Sequence, residues 1–220
     1  MIEVENLIKV YRRGKIEVIA IRDVSLKIED GDMVMLMGPS GSGKTTFLHL
    51  LGGIDRPTAG KIIVNGANIS LFNDKELTEY RRNQVGMVFQ FFNLVPTLNA
   101  LENVMLPMQF AGGENKRERA EKLLDMVGMG HRAKHYPDEM SGGEQQRVAI
   151  AVAMANDPPI ILADEPTGEL DTESGLKIIE LFKKLNEEGK TVVIATHDMR
   201  LKDYATRVMR IEDGKIYEEQ

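Results

Sequence analysis

Apolar residues along this chain come in three textures. Continuous runs without polar alternation, DMVMLMG (32–38), VGMVFQ (85–90), PIILADE (159–165) and TVVIATH (191–197), predict short strands covered on both faces, as in a parallel sheet. IEVENLIKVY (2–11) and VIAIRDVSLKIEDG (18–31) predict longer extended segments, the second closing at a turn around Asp30 and Gly31. KIIVNGANI (61–69) predicts a hairpin turning at Asn65-Gly66, a pair suited to the positive φ angles of a tight turn. Helical spacing is the third texture. TTFLHLLGGI (45–54) predicts a helix, and KRERAEKLLDMVGM (116–129) sets apolar positions beneath a charged, solvated face. Strands alternating with helices make this an α/β chain. Residues from about 91 to 155 are expected to form a helical insertion, with 1–90 and 156–220 supplying the core and a β subdomain of one domain, 1–220.

Composition narrows the picture a little. The 220 residues are enough to bury a substantial core, and 42% hydrophobic with 28% charged residues is ordinary for a globular chain. A net charge of −6 argues against nonspecific nucleic-acid binding, which draws on clustered Lys and Arg. The absence of cysteine excludes disulfides, thiolate metal sites and cysteine nucleophiles, and fits a reducing compartment. No signal peptide is visible in MIEVENLIKVY, and no apolar run approaches the length of a membrane span. The chain is expected to be soluble by itself.

GPSGSGKT, Gly38 to Thr45, follows an apolar strand and opens a helix. That context is what G-x-x-x-x-G-K-[ST] needs to cradle a nucleotide's phosphates. Gly38, Gly41 and Gly43, with Ser40 and Ser42 between them, let backbone N–H groups converge on phosphate oxygens, and a helix start near Lys44 adds partial positive charge. Lys44 is expected on the β- and γ-phosphates, the Thr45 hydroxyl on Mg²⁺, and Thr46 beside them. Asp164 ends a strand, where such sheets place ligand groups, and is expected to hold Mg²⁺ through water. Glu165 then stands where a general base would polarise an attacking water. His197, also at a strand end, is a candidate γ-phosphate donor, though residue type alone leaves a structural role equally open. His49, His131 and His135 have no such context and take the structural reading.

A second helix start raises a question. In MSGGEQQRVAI (140–150) Ser141 suits an N-cap and Glu144 completes a capping box. Gly142 and Gly143, however, each cost about 1 kcal/mol against alanine in a helix. Their presence suggests close approach of an anion, yet the phosphate loop already supplies one such site. An anion carried by another molecule would explain both.

GPSGSGKT, Gln90, MSGGEQQR, IILADEP, GELD and His197, in that order, resemble the ATP-binding cassette (ABC) ATPases over essentially the whole chain. SGGEQQR between a phosphate loop and an acid-pair strand is the specific part. The resemblance implies a P-loop NTPase core of the RecA-like type with an antiparallel β subdomain and an inserted α-helical subdomain. It implies ATP and Mg²⁺ as ligands, and a head-to-tail homodimer. Each ATP would lie between the phosphate loop of one copy and Ser141, Gly142 and Gly143 of the other. By the same resemblance Tyr11 would stack on adenine, although a plain strand tyrosine fits as well. Gln90 would touch Mg²⁺ and the attacking water, and Asp171 would contact the partner copy. Three positions depart from the family pattern: Met140 where Leu is usual, Val152 where Arg is frequent, and Glu169 where GNLD is common.

FQFFNLVPTLNALENVMLP (89–107) is similar to the branch serving lipoprotein release, macrolide export and cell division (LolD, MacB and FtsE types). There this segment helps receive a membrane subunit. Phe91, Phe92, Leu94 and Val95 read either as a partner-binding patch or as packing between insertion and sheet. Together these features imply an ATP-hydrolysing motor subunit on the cytoplasmic face of the membrane. Its separate permease partner would be of the FtsX, LolC or MacB type. A ribosome- or nucleic-acid-associated ABC ATPase would be expected to carry paired cassettes or basic arms, and SGGEQQR has no use in a kinase or GTPase.

Overall fold

The computed structural model describes residues 1–14, 16–112 and 114–219. Two sheets organise them. An antiparallel sheet is built from β1 (Ile2–Arg13), β2 (Ile16–Ile28), β4 (Ala59–Val64) and β5 (Ala67–Asn68), in the order β2-β1-β4-β5. The second has six strands: β3 (Met33–Met37), β6 (Val85–Val88), β7 (Ile160–Asp164), β8 (Thr191–Thr196), β9 (Arg207–Glu212) and β10 (Lys215–Glu219), ordered β10-β9-β3-β8-β7-β6. All its neighbours run parallel except the edge pair β9–β10.

The continuous apolar runs are strands buried on both faces, as their composition predicts. Met33, Met35 and Met37 of β3 point into one hydrophobic cluster, and Val34 and Leu36 into another. The same alternation sends Ile161 and Ala163 of β7 to the first cluster, Ile160 and Leu162 to the second. Helices α3 (Ala100–Ala111), α4 (Lys116–Met126), α5 (Gly142–Ala153) and α6 (Thr172–Glu187) supply the first cluster. Helix α1 (Lys44–Leu51), Tyr80 of α2 (Asp74–Asn83) and the antiparallel sheet close the second.

Between β6 and β7 the described chain forms only helices, short 3-10 turns and loop. Asn65 and Gly66 carry the hairpin between β4 and β5 at φ +50° and +81°, with Val64 opposite Ala67. Helix α2, helix α6 and the β9–β10 hairpin were not anticipated from the hydrophobic pattern. Among the described residues no helix is long and apolar enough to cross a membrane.

Candidate functional site

Parallel register assembles the site. Met37 lies opposite Thr196, Asp164 opposite Ala195, and Val88 opposite Ala163. The residues just past the carboxyl ends of β3, β8, β7 and β6 therefore meet at one sheet edge, where ligand sites of such folds lie. They are the phosphate loop, His197, Glu165 and Gln90. A cleft of about 450 Å³ opens there, lined by Tyr11, Val18, Ser40 to Thr46, Gln90 and Glu165, among others.

Glu165 is the hub. It sits at φ +47°, a backbone conformation that costs on the order of 1–3 kcal/mol for a side chain of this kind and is typical of functional positions. Its amide donates to Ala195 O at 2.9 Å, which fixes the turn. Its carboxylate lies 3.3 Å from the buried Lys44 Nζ and 2.7 Å from His197 Nδ1. Lys44 also donates to the carbonyls of Gly38 and Pro39 at 2.8 and 3.0 Å. The ammonium is thus held inside the loop by groups that a phosphate could replace.

Asp164 is buried beside Glu165, and its Oδ1 has no hydrogen-bond partner. Burial pushes its carboxyl above the usual aspartate range. The Glu165 charge adds to this, while the Thr45 hydroxyl, His49 and Lys44 oppose it. An orphaned buried oxygen beside the Thr45 hydroxyl, with the Gln90 amide lining the same cleft as Thr45, offers a set of hard oxygen donors. Such a set fits Mg²⁺, which takes one or two protein oxygens and completes its shell with phosphate and water. His49, assigned a structural role from sequence, lies one helical turn from Thr45, a spacing that could have signalled its place near Asp164.

The loop glycines have a reason the sequence did not reveal. A Cβ at Gly38 would stand 2.3 Å from Ile211 O, and one at Gly43, which sits at φ +110°, would stand 2.5 Å from Ala20 O. At these two positions the protein's own backbone excludes a side chain. Gly41 faces open space.

Helix α5 begins as its sequence dictates. Ser141 Oγ accepts from the Glu144 amide at 3.3 Å, and Glu144 Oε2 accepts from the Ser141 amide at 2.8 Å. That amide bond, more than the nearby Arg132, holds the Glu144 carboxyl below its ordinary range. The two glycines differ. Gly143 is buried, and a Cβ there would come within 3.2 Å of Ser174, so close packing on α6 accounts for it. At Gly142 a Cβ would meet Leu170 and Phe92 only at 3.4 Å, an ordinary contact. Close packing thus gives Gly143 a reason of its own, beside any approach of an anion, whereas Gly142 has none within the chain. None of Ser141, Gly142 and Gly143 lines the cleft of the same chain.

Asp171 caps α6, its Oδ1 accepting from the Ser174 amide at 3.0 Å, and remains exposed. Glu169 accepts from Gln90 Nε2 at 3.0 Å, a contact with no sequence signal. Met140 is buried in the core, as a volume-conserving replacement for Leu should be. Val152 lines an open groove of about 420 Å³ with Met87, Pro107 and Phe110. Of the four apolar residues after Gln90, Phe91 is exposed; Phe92, Leu94 and Val95 are half-buried, with Leu94 packed on the core.

Comparison with known proteins agrees with this geometry. The ABC transporter family model matches residues 21–168. An uncharacterized ABC transporter ATP-binding protein of Thermotoga maritima is 50% identical over 98% of this chain and 93% of its own. The macrolide export ATP-binding/permease protein MacB of Syntrophobacter fumaroxidans is 45% identical over 98% of this chain and 31% of its own, in keeping with the branch resemblance. A dimeric, post-hydrolysis structure of the ATP-binding cassette MJ0796 bound to ADP and Pi superposes with a TM-score of 0.93. It is 46% identical and covers 100% of this chain and 98% of that one. The chain belongs to the ABC transporter family, as one of its ATP-hydrolysing cassettes.

Proposed function

We propose that two copies of this chain pack head to tail and hydrolyse ATP in two shared sites, driving a separate membrane permease. In each site the phosphates lie on Gly38 to Thr46 of one copy, and Ser141, Gly142 and Gly143 of the other close over the terminal phosphate. One observation carries this reading: the anion-ready start of α1 and the start of α5 both exist, yet only the first faces the cleft of its own chain. The dimeric MJ0796 cassette with ADP and Pi supports the same arrangement.

Lys44 moves from Glu165 to the β- and γ-phosphates when nucleotide enters. Glu165, released, takes a proton from water as the water oxygen attacks the γ-phosphorus, and the bond to the ADP oxygen breaks. His197 donates to a γ-phosphate oxygen and restrains the Glu165 carboxylate. Asp164, Thr45 and Gln90 would hold Mg²⁺, whose charge offsets that of the phosphates. Tyr11 meets the adenine ring, and Asp171 meets the partner copy. Residues 91–155 act as one helical subdomain, and the exposed Phe91 with the groove beside Val152 receives the permease. Its FtsX, LolC or MacB type follows from the branch resemblance, as does a place at the cytoplasmic membrane face. The MacB relative, named as a joint ATP-binding/permease protein, supports the pairing.

The test is Glu165→Gln. Turnover should fall by about 10²–10⁴-fold with ATP affinity retained, because a general base contributes to the chemical step. Undiminished turnover would assign the base elsewhere.

A further inference from the structure

Beside the cleft, Tyr11 belongs to a cluster of ionisable side chains whose other members have no role in the account above. Lys9 and Tyr11, two residues apart on β1, project to the same face of the strand. Lys9 Nζ lies 4.8 Å from the centroid of the Tyr11 ring. It also donates to Asp55 Oδ1 at 2.6 Å and to Arg56 O at 2.7 Å. The Tyr11 hydroxyl donates to the other Asp55 oxygen at 2.7 Å. Asp55 is thus saturated by a cation, a phenol and the Arg56 amide at 2.7 Å.

The carboxylate is anchored in turn. Its own amide donates to His49 O, in the last turn of α1, at 3.2 Å. Three residues on, Thr58 is zipped to β1: its amide donates to Ile8 O at 2.8 Å, and its hydroxyl accepts from the Val10 amide at 3.0 Å. The helix that starts with Lys44 is therefore fastened at its far end to the strand that carries Tyr11. The phosphate loop follows β3 of the six-stranded sheet and Tyr11 lies on β1 of the antiparallel one, so this fastening decides how the ring stands relative to the loop. Lys9 is not among the residues lining the cleft, whereas Tyr11 is. The ammonium therefore packs on the ring without lining the cleft itself.

Resting on the reading that Tyr11 meets the nucleotide base, we propose that Asp55 and Lys9 are positioning residues that lock the Tyr11 ring as a stacking platform at a fixed distance from the phosphate loop. Burial, then the Asp55 hydrogen bond and charge, raise the Tyr11 phenol above its ordinary range, so the donor proton stays on through the physiological range. Burial works against the Asp55 charge, but the Lys9, Tyr11 and Arg56 hydrogen bonds outweigh it and hold the carboxyl below its ordinary range. Stacking does not select among purines, so the device sets affinity for the base moiety and contributes nothing to phosphate binding.

The experiment compares binding of a fluorescent ATP analogue with binding of inorganic tripolyphosphate. Asp55→Ala and Tyr11→Phe should each weaken the nucleotide on the order of tenfold, the scale of one base–aromatic contact, and Lys9→Met somewhat less. Tripolyphosphate affinity should be unchanged in all three. Tyr11→Ala should weaken the nucleotide at least as much, and adding Asp55→Ala to it should cost nothing further. A general structural role would instead weaken both ligands together. If Tyr11→Ala weakens nucleotide binding while Asp55→Ala and Tyr11→Phe do not, the positioning role is wrong. If Tyr11→Ala itself leaves nucleotide binding intact, the platform reading fails and this inference with it.

Discussion

Helices α1 and α5 both start in glycine-rich turns, and both leave backbone amides that nothing inside the helix can satisfy. At α1 the N-cap is Gly43, in a left-handed conformation with no side chain to cap the turn, and the neighbouring Lys44 ammonium is held by carbonyls and by Glu165. At α5 the chain caps itself, Ser141 and Glu144 exchanging two hydrogen bonds. The first start is incomplete until an anion arrives. The second is stable alone, and its exposed Ser141 hydroxyl still has a proton to donate, since the capping bond uses the oxygen as acceptor. A subunit built this way folds with α5 ready but leaves the phosphate site unfinished, which suits a site completed only by nucleotide and a second copy.

The largest expected break in that comparison comes from charge and bulk. Lys44→Ala should lower turnover by about 10²–10³-fold, the usual cost of removing a preorganised cationic or oxyanion donor. It should also weaken ATP binding to the isolated subunit. Ser141→Arg should lower turnover as far while leaving the subunit's own ATP affinity unchanged, because Ser141 is outside its cleft. Equilibrium binding on dilute protein separates the two.

Glycine substitutions sharpen the contrast on stability. Gly43→Ala meets both a positive φ and the Ala20 carbonyl, so unfolding free energy should drop by about 3 kcal/mol or more. Gly142→Ala, by contrast, meets only ordinary contacts and gains helix propensity. Its monomer should be unchanged or up to about 1 kcal/mol more stable in denaturant titrations, yet impaired in dimerisation.

Asp164→Asn gives the smallest shift. The folded-state carboxyl is raised, so the folded protein holds that proton more tightly than the unfolded chain does. The Asp164 contribution therefore becomes less favourable as pH rises from the ordinary aspartate range through the raised value. At neutral pH the Asn variant should melt higher than the unliganded parent, by about 2–4 °C per kcal/mol relieved, and the gap should narrow on acidification. Thermal melts at both pH values check it. Equal melting at neutral pH would mean the buried carboxylate carries no cost.

Much of this was legible in the sequence, for a physical reason. The doubly covered strands are unbroken apolar runs, and the α5 cap is a local Ser141–Glu144 pair, so both were visible without tertiary knowledge. Helix α2 has an equally local signal in its Asn73–Glu76 box, which the apolar pattern alone did not reveal because few of its residues are buried. Helix α6 is capped by Asp171, so a residue expected to face a partner also has a capping role. The rest depends on contacts distant in sequence. Nothing near Gln90 signals Glu169, nothing near Tyr11 signals Asp55, and the backbone that forbids side chains at Gly38 and Gly43 belongs to β9 and β2.

The shared site is tested most directly by mixing two broken subunits, both carrying Glu165→Gln so that ATP-bound dimers persist. One also carries Lys44→Ala and the other Ser141→Arg. In the head-to-tail mixed dimer one site receives both lesions and the other neither. On a sizing column with saturating ATP each variant alone should run as monomer, and the mixture should yield a mixed dimer. A mixture that stays monomeric while the Glu165→Gln parent dimerises would contradict a nucleotide gripped by both copies.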